Sequence, residues 1–308
     1  MKDDQNKGAG EALGEPTARP PLRKSLLQRG GFAMLLLVQC LGLMLGPGFA
    51  YAAMAVVVLA GIAMEKRIPY SDNTPSSEDR RLDTLFSLLT LLVAPVAGVG
   101  IPLLISSLPT PNAAMITWPA TYQFLPALLL SGLLPYWLHR ISHESSDFLW
   151  RVHSVHHAPH NVYWLNALRL HPINTLYNSA AGLLPLLLLG FDSEVIFAVG
   201  ILNSFMSIVN HFNVDFRLGW LNWVFNSGEL HRWHHSRAPE FGNSNYSGGL
   251  LIFWDLVAGT FRLPQARLRE TDIGMFDESE YPLASFRGQL MHPFRFWRNC
   301  CRPQATRA

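Results

Sequence analysis

The stretch LPALLLSGLLPYWLHRISHESSDFLWRVHSVHH, residues 125–157, joins an apolar run to five histidines. The apolar run is typical of a helix surrounded by lipid, and the histidines begin where it ends. Residues four positions apart lie on the same face of a helix, so His139 and His143 share a face if this helix continues past Leu138. A second group, HRWHH at residues 231–235, repeats the crowding of histidines.

The composition indicates a membrane protein. The chain has 308 residues, of which 49% are hydrophobic and only 15% are charged, whereas a soluble domain carries about 25% charged residues. The net charge of +2 gives no reason to expect a nucleic-acid partner. The three cysteines form neither a disulfide framework nor a CxxC metal pair. We therefore expect an all-α integral membrane protein.

The first apolar region, Gly31–Met64, is too long for one straight crossing. As a single helix it would measure about 50 Å, against a hydrocarbon core of about 30 Å. Pro47 disfavours helical geometry at the preceding Gly46, so the sequence predicts two short spans joined there. Four further spans are predicted, at 82–108, 121–138, 174–190 and 194–209.

The distribution of charge predicts the orientation of these spans. With the N-terminus in the cytosol, the spans form three hairpins whose outer turns lie near residues 47, 108–118 and 190–194. None of these turns contains lysine or arginine, so all 24 basic residues fall on the cytosolic side, as the positive-inside rule expects. We predict helical hairpins that span the bilayer, a cytosolic histidine-rich helical cap and cytosolic termini. The expected location is a bacterial inner membrane.

The chain divides into four predicted regions. Its polar start predicts a disordered cytosolic tail, its apolar runs predict membrane hairpins, and its end predicts a second cytosolic tail. The histidine-rich catalytic region includes a hairpin of its own at 174–209. In chain order the regions are 1–30, 31–138, 139–264 and 265–308.

The spacing of the histidines indicates a metal site. One pair is spaced H-x3-H and two groups are spaced H-x2-HH, and on a helix positions i, i+3 and i+4 lie within an arc of about 100°. Imidazole is a good ligand for Zn, Cu, Fe and Ni. Eight imidazoles are more than one metal needs, so two metals are the natural count. The eight are His139, His143, His153, His156, His157, His231, His234 and His235.

Other metal proteins fit the pattern less well. The metalloprotease motif HExxH is absent, and soluble di-iron bundles use mainly glutamate with Glu-x-x-His. A membrane haem protein places its axial histidines inside the spans, and a metal transporter places polar ligands near the midplane. Here the histidines lie at or beyond the ends of the spans. A metal-ion transporter is nevertheless kept as the alternative outside the enzymes.

The motifs HRISH, HSVHH and HRWHHS resemble the histidine boxes of the fatty acid hydroxylase superfamily. This group of integral-membrane di-iron enzymes includes sterol desaturases, fatty acid hydroxylases, alkylglycerol monooxygenase and carotenoid hydroxylases. ALRLHP at 167–172, NHFN at 210–213 and FWDLVAGTF at 253–261 resemble further segments of the family. The resemblance covers about residues 120–264. The NSGEL before the third box departs from the Thr-Pro of many members, which bears on substrate fit.

The resemblance implies a ligand set and an iron cofactor. The eight histidines would bind two iron ions per chain, and His211 matches a position that supplies a further ligand in some members. His171, Arg169 and Asn210 would support the ligands through hydrogen bonds. Because neutral imidazoles leave the site cationic, a bridging hydroxide or a nearby carboxylate is expected to offset the charge. Asp255 and Glu229 are the candidate catalytic carboxylates, and Glu144 and Asp147 are weaker candidates.

The implied reaction is an O2-dependent oxidation of a lipid. An unactivated C–H bond needs an oxidant, which a metal cofactor supplies while the protein positions the substrate. We expect a monooxygenase that hydroxylates a fatty acyl chain or a polar lipid such as ornithine lipid. A sterol or carotenoid desaturase or hydroxylase is the alternative within the superfamily. No flavin or nicotinamide fingerprint is present, so electrons are expected from a ferredoxin, a cytochrome b5-like protein or a reductase.

Overall fold

The computed structural model describes residues 22–107 and 117–295, and these are folded almost entirely as helices and the turns between them. Short 3-10 helices follow α5 and α7 at Trp164–Leu168 and Gly219–Trp223. The α-helices in the described ranges are α1 (Leu22–Leu45), α2 (Pro47–Arg67), α3 (Ser77–Ser106), α4 (Ala120–Glu144), α5 (Asp147–His157), α6 (Pro172–Leu189), α7 (Ser193–Val209), α8 (Gly228–His234), α9 (Pro239–Gly242), α10 (Phe253–Ala258) and α11 (Phe286–Met291). The predicted all-α membrane fold with a histidine-rich helical region is confirmed.

The break in the first apolar region lies where the sequence predicts it. Gly46 separates α1 from α2 with φ of 111°, a value that favours glycine, and Pro47 opens α2. The two helices pack closely because Gly42 has no side chain. A Cβ there would lie 2.5 Å from the Cβ of Ala53.

The predicted disordered tail is too long at its C-terminal end. Helix α1 begins at Leu22, so residues 22–30 are helical. The side chain of Gln28 donates to Asp215 over 2.6 Å, and its carbonyl accepts from the backbone N–H of Arg217. These tertiary contacts extend the helix beyond its apolar part. Residues 1–21, the outer turn around 108–116 and the tail after 295 lie outside the described residues.

Three of the six predicted spans are long and apolar enough to cross a membrane. These are Ser25–Leu45, Pro47–Arg67 and Ser77–Ser106, while Ser193–Val209 is a shorter apolar helix. By length and composition, α4 and α6 fall outside this set. Both carry polar residues, among them Gln123 and Asn174, that make contacts inside the protein. Three of the six predicted spans thus meet this criterion of length and composition, and the three-hairpin arrangement of all six stays a prediction.

The helices pack in an order that differs from three side-by-side hairpins. Helix α6 packs between α3 and α4, and α4 packs in turn against α7, which also contacts α1 and α2. The side chain of Asn203 in α7 donates to Ser131 in α4 over 3.0 Å. Gln123, near the start of α4, accepts from the backbone N–H of Asp192 in the α6–α7 turn. Only α1 and α2 therefore retain close packing as a predicted hairpin.

A buried ion pair ties α3 to the histidine-rich end of the bundle. Arg169 donates to Asp83 over 2.7 Å, and the two side chains are 1% and 0% exposed. Arg169 also donates to the carbonyl of Val155 in α5 and to the side chain of Gln289 in α11. One arginine thus holds three helices together, because a buried charge must keep all its partners.

Candidate metal centre

Three helices present the histidine motifs. Helix α4 continues past Leu138 as expected, so His139 and His143 lie one turn apart. Ser146 caps the start of α5, where its hydroxyl accepts from the N–H of Leu149, and Ser227 caps the start of α8 in the same way. Both H-x2-HH groups therefore stand at the C-terminal ends of short capped helices.

The structure gathers the histidines into two clusters. In each cluster, one nitrogen from every residue lies within 4.8 Å of those of the other members. Together the clusters contain all nine histidines that the sequence analysis nominated. Cluster A consists of His139, His143, His153, His157 and His234, and cluster B consists of His156, His211, His231 and His235.

The spacing of the nitrogens in cluster B fits a shared metal ion. The Nε2 atom of His211 lies 3.2 Å from that of His156 and 3.1 Å from that of His231. The Nε2 atoms of His235 and His231 are also 3.1 Å apart. Two nitrogens that bind one metal at about 2.1 Å and at right angles are separated by about 3.0 Å. The ring nitrogens are therefore spaced as ligands of one ion.

Backbone carbonyls orient two rings of cluster A. The Nδ1 atom of His139 lies 2.6 Å from the carbonyl oxygen of Tyr246, and Nδ1 of His234 lies 2.8 Å from that of Ser244. A carbonyl can only accept, so the proton is on Nδ1. The Nε2 lone pair of each ring is left to face the cluster, as metal-binding histidines require.

Asparagine side chains orient a ring in each cluster. In cluster A, Nδ1 of His153 donates to Oδ1 of Asn174 over 2.9 Å. In cluster B, Nδ1 of His211 faces Oδ1 of Asn210 and the carbonyl of Ser207, each at 2.8 Å. The supporting role expected for Asn210 therefore has a direct contact.

Several inward nitrogens have no partner within the protein. Nε2 of His139, of His143 and of His234 is buried without a hydrogen bond. An unsatisfied buried polar atom costs about 1–3 kcal/mol, which a bound metal ion would remove. Burial also lowers the pKa of His153 to about 4 and that of His234 to about 3. Both rings are thus neutral near pH 7 and able to bind a metal.

No carboxylate belongs to either cluster among the described residues. The buried carboxylate of Asp255 accepts from the N–H groups of Tyr246 and Ser247 and from the hydroxyl of Thr260, at 2.6–2.8 Å. Burial raises the pKa of Asp255, and these donors oppose the rise. Asp255 thus holds the segment whose Tyr246 carbonyl orients His139. These contacts are those of a positioning residue, and a catalytic role for Asp255 stays a prediction.

The other candidate carboxylates have structural partners. Glu229 accepts from the N–H of Leu218 at 2.7 Å and from the side chain of Asn222 at 2.9 Å. Glu144 pairs with Arg140 and accepts from the hydroxyl of Tyr246. Asp147 lies in the first turn of α5. In the described part of the chain no carboxylate therefore lies within either histidine cluster, and a catalytic role for Glu229 stays a prediction.

The remaining supporting residues lie around the clusters. His171 accepts through Nδ1 from the N–H of Ile173 and caps α6, while its Nε2 faces the carbonyl of Leu290. Arg169 supports α5 through the Val155 carbonyl. Asn174 is not among the site residues predicted from the sequence, although an amide at the start of an apolar helix is a recognisable signal.

A small cavity of about 90 Å³ opens onto both clusters. Its walls include His139 and His153 of cluster A and His156, His211 and His231 of cluster B. It adjoins a cleft of about 390 Å³ between α6 and α7, with α4 as the floor. The cavity and the cleft share the lining residues Pro135, Leu170, Asn178, Ser207 and Gly248. A long apolar molecule in the cleft can therefore reach the histidines.

The chain is similar to known lipid-oxidising enzymes. The family model described as fatty acid hydroxylase matches residues 124–260. An ornithine lipid hydroxylase from Rhizobium tropici is 33% identical over 253 residues, covering 78% of this chain and 75% of that protein. An alkylglycerol monooxygenase from Danio rerio is 34% identical over 147 residues, covering 47% of this chain and 32% of that protein. No solved structure matches the chain.

The matched region contains all nine clustered histidines, and the fit to a metal is seen in their unpartnered, converging nitrogens. The ornithine lipid hydroxylase extends the similarity over most of the chain. The protein therefore belongs to the fatty acid hydroxylase family, a family of iron-dependent membrane enzymes that oxidise lipids.

Proposed function

We propose that the protein hydroxylates a membrane lipid at two iron ions, one bound by each histidine cluster. The lipid would be a polar lipid such as ornithine lipid, oxidised on its acyl chain or its head group. The overall reaction consumes one O2, two electrons and two protons, inserts one oxygen atom into a C–H bond and releases one water. The observation that carries the proposal is the cavity over both clusters, which continues into the cleft between α6 and α7.

The iron pair, when bound, supplies the O2-derived oxidant that a C–H bond requires. The histidines would hold it: His139, His153, His211 and His234 point Nε2 inward because their Nδ1 protons are already bound to oxygen acceptors. Mostly buried side chains exclude water from the clusters, which protects the oxidising site from side reactions.

The cleft orients the lipid rather than extracting it from water. A lipid tail already lies in an apolar medium, so moving it against Leu183, Leu186 and Val199 gains little hydrophobic free energy. Shape and polar contacts must then select the substrate. Asn178 and Ser207 line both the cleft and the cavity, so they are placed to hydrogen-bond a polar group near the oxidised carbon.

The electron donor is a separate protein, a ferredoxin, a cytochrome b5-like protein or a reductase, that reaches the clusters from the cytosol. This requires the orientation expected from the basic residues, with both termini and the histidines at the cytosolic face of a bacterial inner membrane. The described helices support it in one respect. Lys66 and Arg67 end α2, and the adjacent Glu65 accepts from the backbone N–H of Asn213, two positions after His211.

Lipid mass spectrometry of cells grown under 18O2 tests the proposal. Cells with the wild-type chain should contain a lipid that has gained one 18O atom, and cells with His156→Ala should lack it. The matched control is His160→Ala, because His160 pairs with Glu278 outside both clusters. A desaturated, unlabelled product would replace hydroxylation with desaturation. Histidine-dependent metal transport without any lipid product would overturn the enzyme assignment.

A further inference from the structure

Six apolar residues outside the long helices form an exposed patch, here called the interfacial patch. They come from two segments, the 3-10 helix after α7 and helix α10. Trp220 is 74% exposed and Val257 is 63% exposed, and the other members are also exposed. The six are Trp220, Trp223, Val224, Phe253, Leu256 and Val257.

The two segments form one surface. The N–H of Asn226 donates to the carbonyl of Leu250 at 3.0 Å, and the N–H of Ile252 donates to that of Val224 at 3.1 Å. A β-bridge joins the intervening residues of the two segments. Because the segments run side by side, their apolar side chains are contiguous. A contiguous exposed apolar patch marks a binding surface for protein or membrane.

The patch lies beside the membrane helices rather than beyond their histidine-bearing ends. Nε1 of Trp254 in α10 donates to the carbonyl of Leu129 in α4 at 2.9 Å. Leu129 precedes His139 in the same helix by a distance of about 15 Å along the axis. On the other side, Phe225 packs against Phe32, inside the apolar α1, with ring centroids 5.2 Å apart.

The chemistry of the patch matches the boundary between lipid head groups and acyl chains. Tryptophan is enriched at that boundary, where its ring lies among the head groups. Two exposed arginines flank the patch, Arg217 before Trp220 and Arg262 after Phe261. Guanidinium groups bind phosphate well. Aromatic rings with flanking arginines are typical of interfacial membrane contacts.

We propose that the interfacial patch is inserted into the head-group–acyl boundary of the bilayer, with Arg217 and Arg262 at lipid phosphates. Lipid is favoured over a protein partner because the patch is continuous with α1 and α4. A protein bound there would have to displace lipid from beside these helices. The interfacial patch is thus a third kind of membrane contact, separate from the spans and from the cleft.

The proposed insertion of the interfacial patch affects the metal centre through helix α10. Trp254 fixes the helix to α4, and Asp255 holds the backbone N–H of Tyr246, whose carbonyl orients His139. Val257 on the same helix faces outward to the lipid. The membrane surface therefore sets the position of a segment that supports a proposed ligand. This membrane contact would form whichever reaction the centre catalyses.

Spin-label accessibility in lipid nanodiscs tests the insertion. A cysteine-free background (Cys40→Ser, Cys300→Ser, Cys301→Ser) would carry one labelled cysteine at Val257 or at Trp220. The lipid reference is Leu92→Cys on the exposed face of α3, and the water reference is Glu240→Cys on α9. The label's collision rates with O2, which partitions into lipid, and with a water-soluble nickel chelate would be compared at each position.

At Val257 and Trp220 we expect collisions with O2 to exceed those with the chelate, as at Leu92, and the reverse at Glu240. Chelate-accessible labels at both patch positions would overturn the proposal and leave the patch to a protein partner. Two positions are used so that one misfolded variant does not decide the result. Lipid oxidation is measured separately, so failure of the proposed reaction would be distinguished from failure of this membrane contact.

Discussion

The Nε2 atoms of His156 and His211 lie 3.2 Å apart, although 55 positions separate the two residues in the chain. The contact joins the end of α5 to the turn after α7. It adds His211 to cluster B, and His211 belongs to none of the three histidine motifs. His211 is thus placed like a metal ligand by geometry as well as by resemblance.

Removing His156 should empty cluster B while leaving cluster A occupied. Protein purified without oxygen should hold about two iron ions per chain, one for each nitrogen-rich site. In His156→Ala we expect about one, because cluster B loses one of its four imidazoles and binds its ion too weakly to keep it through purification. Elemental analysis measures the count, with His160→Ala as the control. Equal iron in wild type and His156→Ala would contradict the assignment.

Replacing Asn174 with alanine should weaken metal binding without touching a ligand. The substitution removes the acceptor that holds Nδ1 of His153, and such supporting contacts contribute about 10–100-fold to metal affinity. Competition with a chelator measures the affinity. Asn178→Ala is the matched control, because Asn178 lines the same cavity but makes no hydrogen bond to a clustered histidine. Equal weakening by both substitutions would argue against a role for the Asn174–His153 contact.

Breaking the buried ion pair should destabilise the fold strongly. In Asp83→Ala, Arg169 keeps its charge in a site where it is 1% exposed, which costs about 3–5 kcal/mol. Asp272→Ala breaks an exposed pair with Arg269 and should cost about 0–1 kcal/mol. Thermal unfolding in detergent compares the two. Similar unfolding temperatures would show that the pair does not hold α3 to the histidine-rich end.

Filling the cleft should block lipid oxidation and spare the metal. Gly200 lines the cleft and a Cβ there would meet no atom within 4 Å, so we expect the ring of Gly200→Phe to occupy part of the cleft. Gly98→Phe is the control, since Gly98 is also unobstructed but does not line the cleft. We expect Gly200→Phe to make no oxidised lipid while it keeps the wild-type iron content. Gly98→Phe should keep both the product and the iron. Full product from Gly200→Phe would place the substrate path elsewhere.

The metal-free protein should lose stability as the pH falls below about 6.5. The unfolded chain takes up histidine protons near that pH, whereas burial keeps the folded pKa of His153 at about 4 and of His234 at about 3. Between these values the unfolded state binds more protons, so acid favours unfolding. Thermal unfolding after chelation, from pH 8 to pH 5, measures the effect. A flat profile would show that these rings are not buried and neutral.

The sequence by itself determined which residues meet. The spacings H-x3-H and H-x2-HH place histidines on one side of a helix whatever its neighbours are, and nine nominated histidines are the nine that cluster. The break at Gly46 is equally local, because Pro47 acts on the residue before it. The family resemblance rests on these same short motifs, and so does the expected chemistry.

Only the tertiary structure decided how the histidines are divided between cluster A and cluster B. His156 and His157 are neighbours on α5, but one belongs to cluster B and the other to cluster A. Successive side chains on a helix point about 100° apart, so each faces whatever the packing of α4, α7 and α8 brings opposite. The acceptors for Nδ1 are largely backbone carbonyls, which every residue carries and no motif reveals. The order of the helices, with α6 between α3 and α4, likewise depends on contacts between residues far apart in the chain.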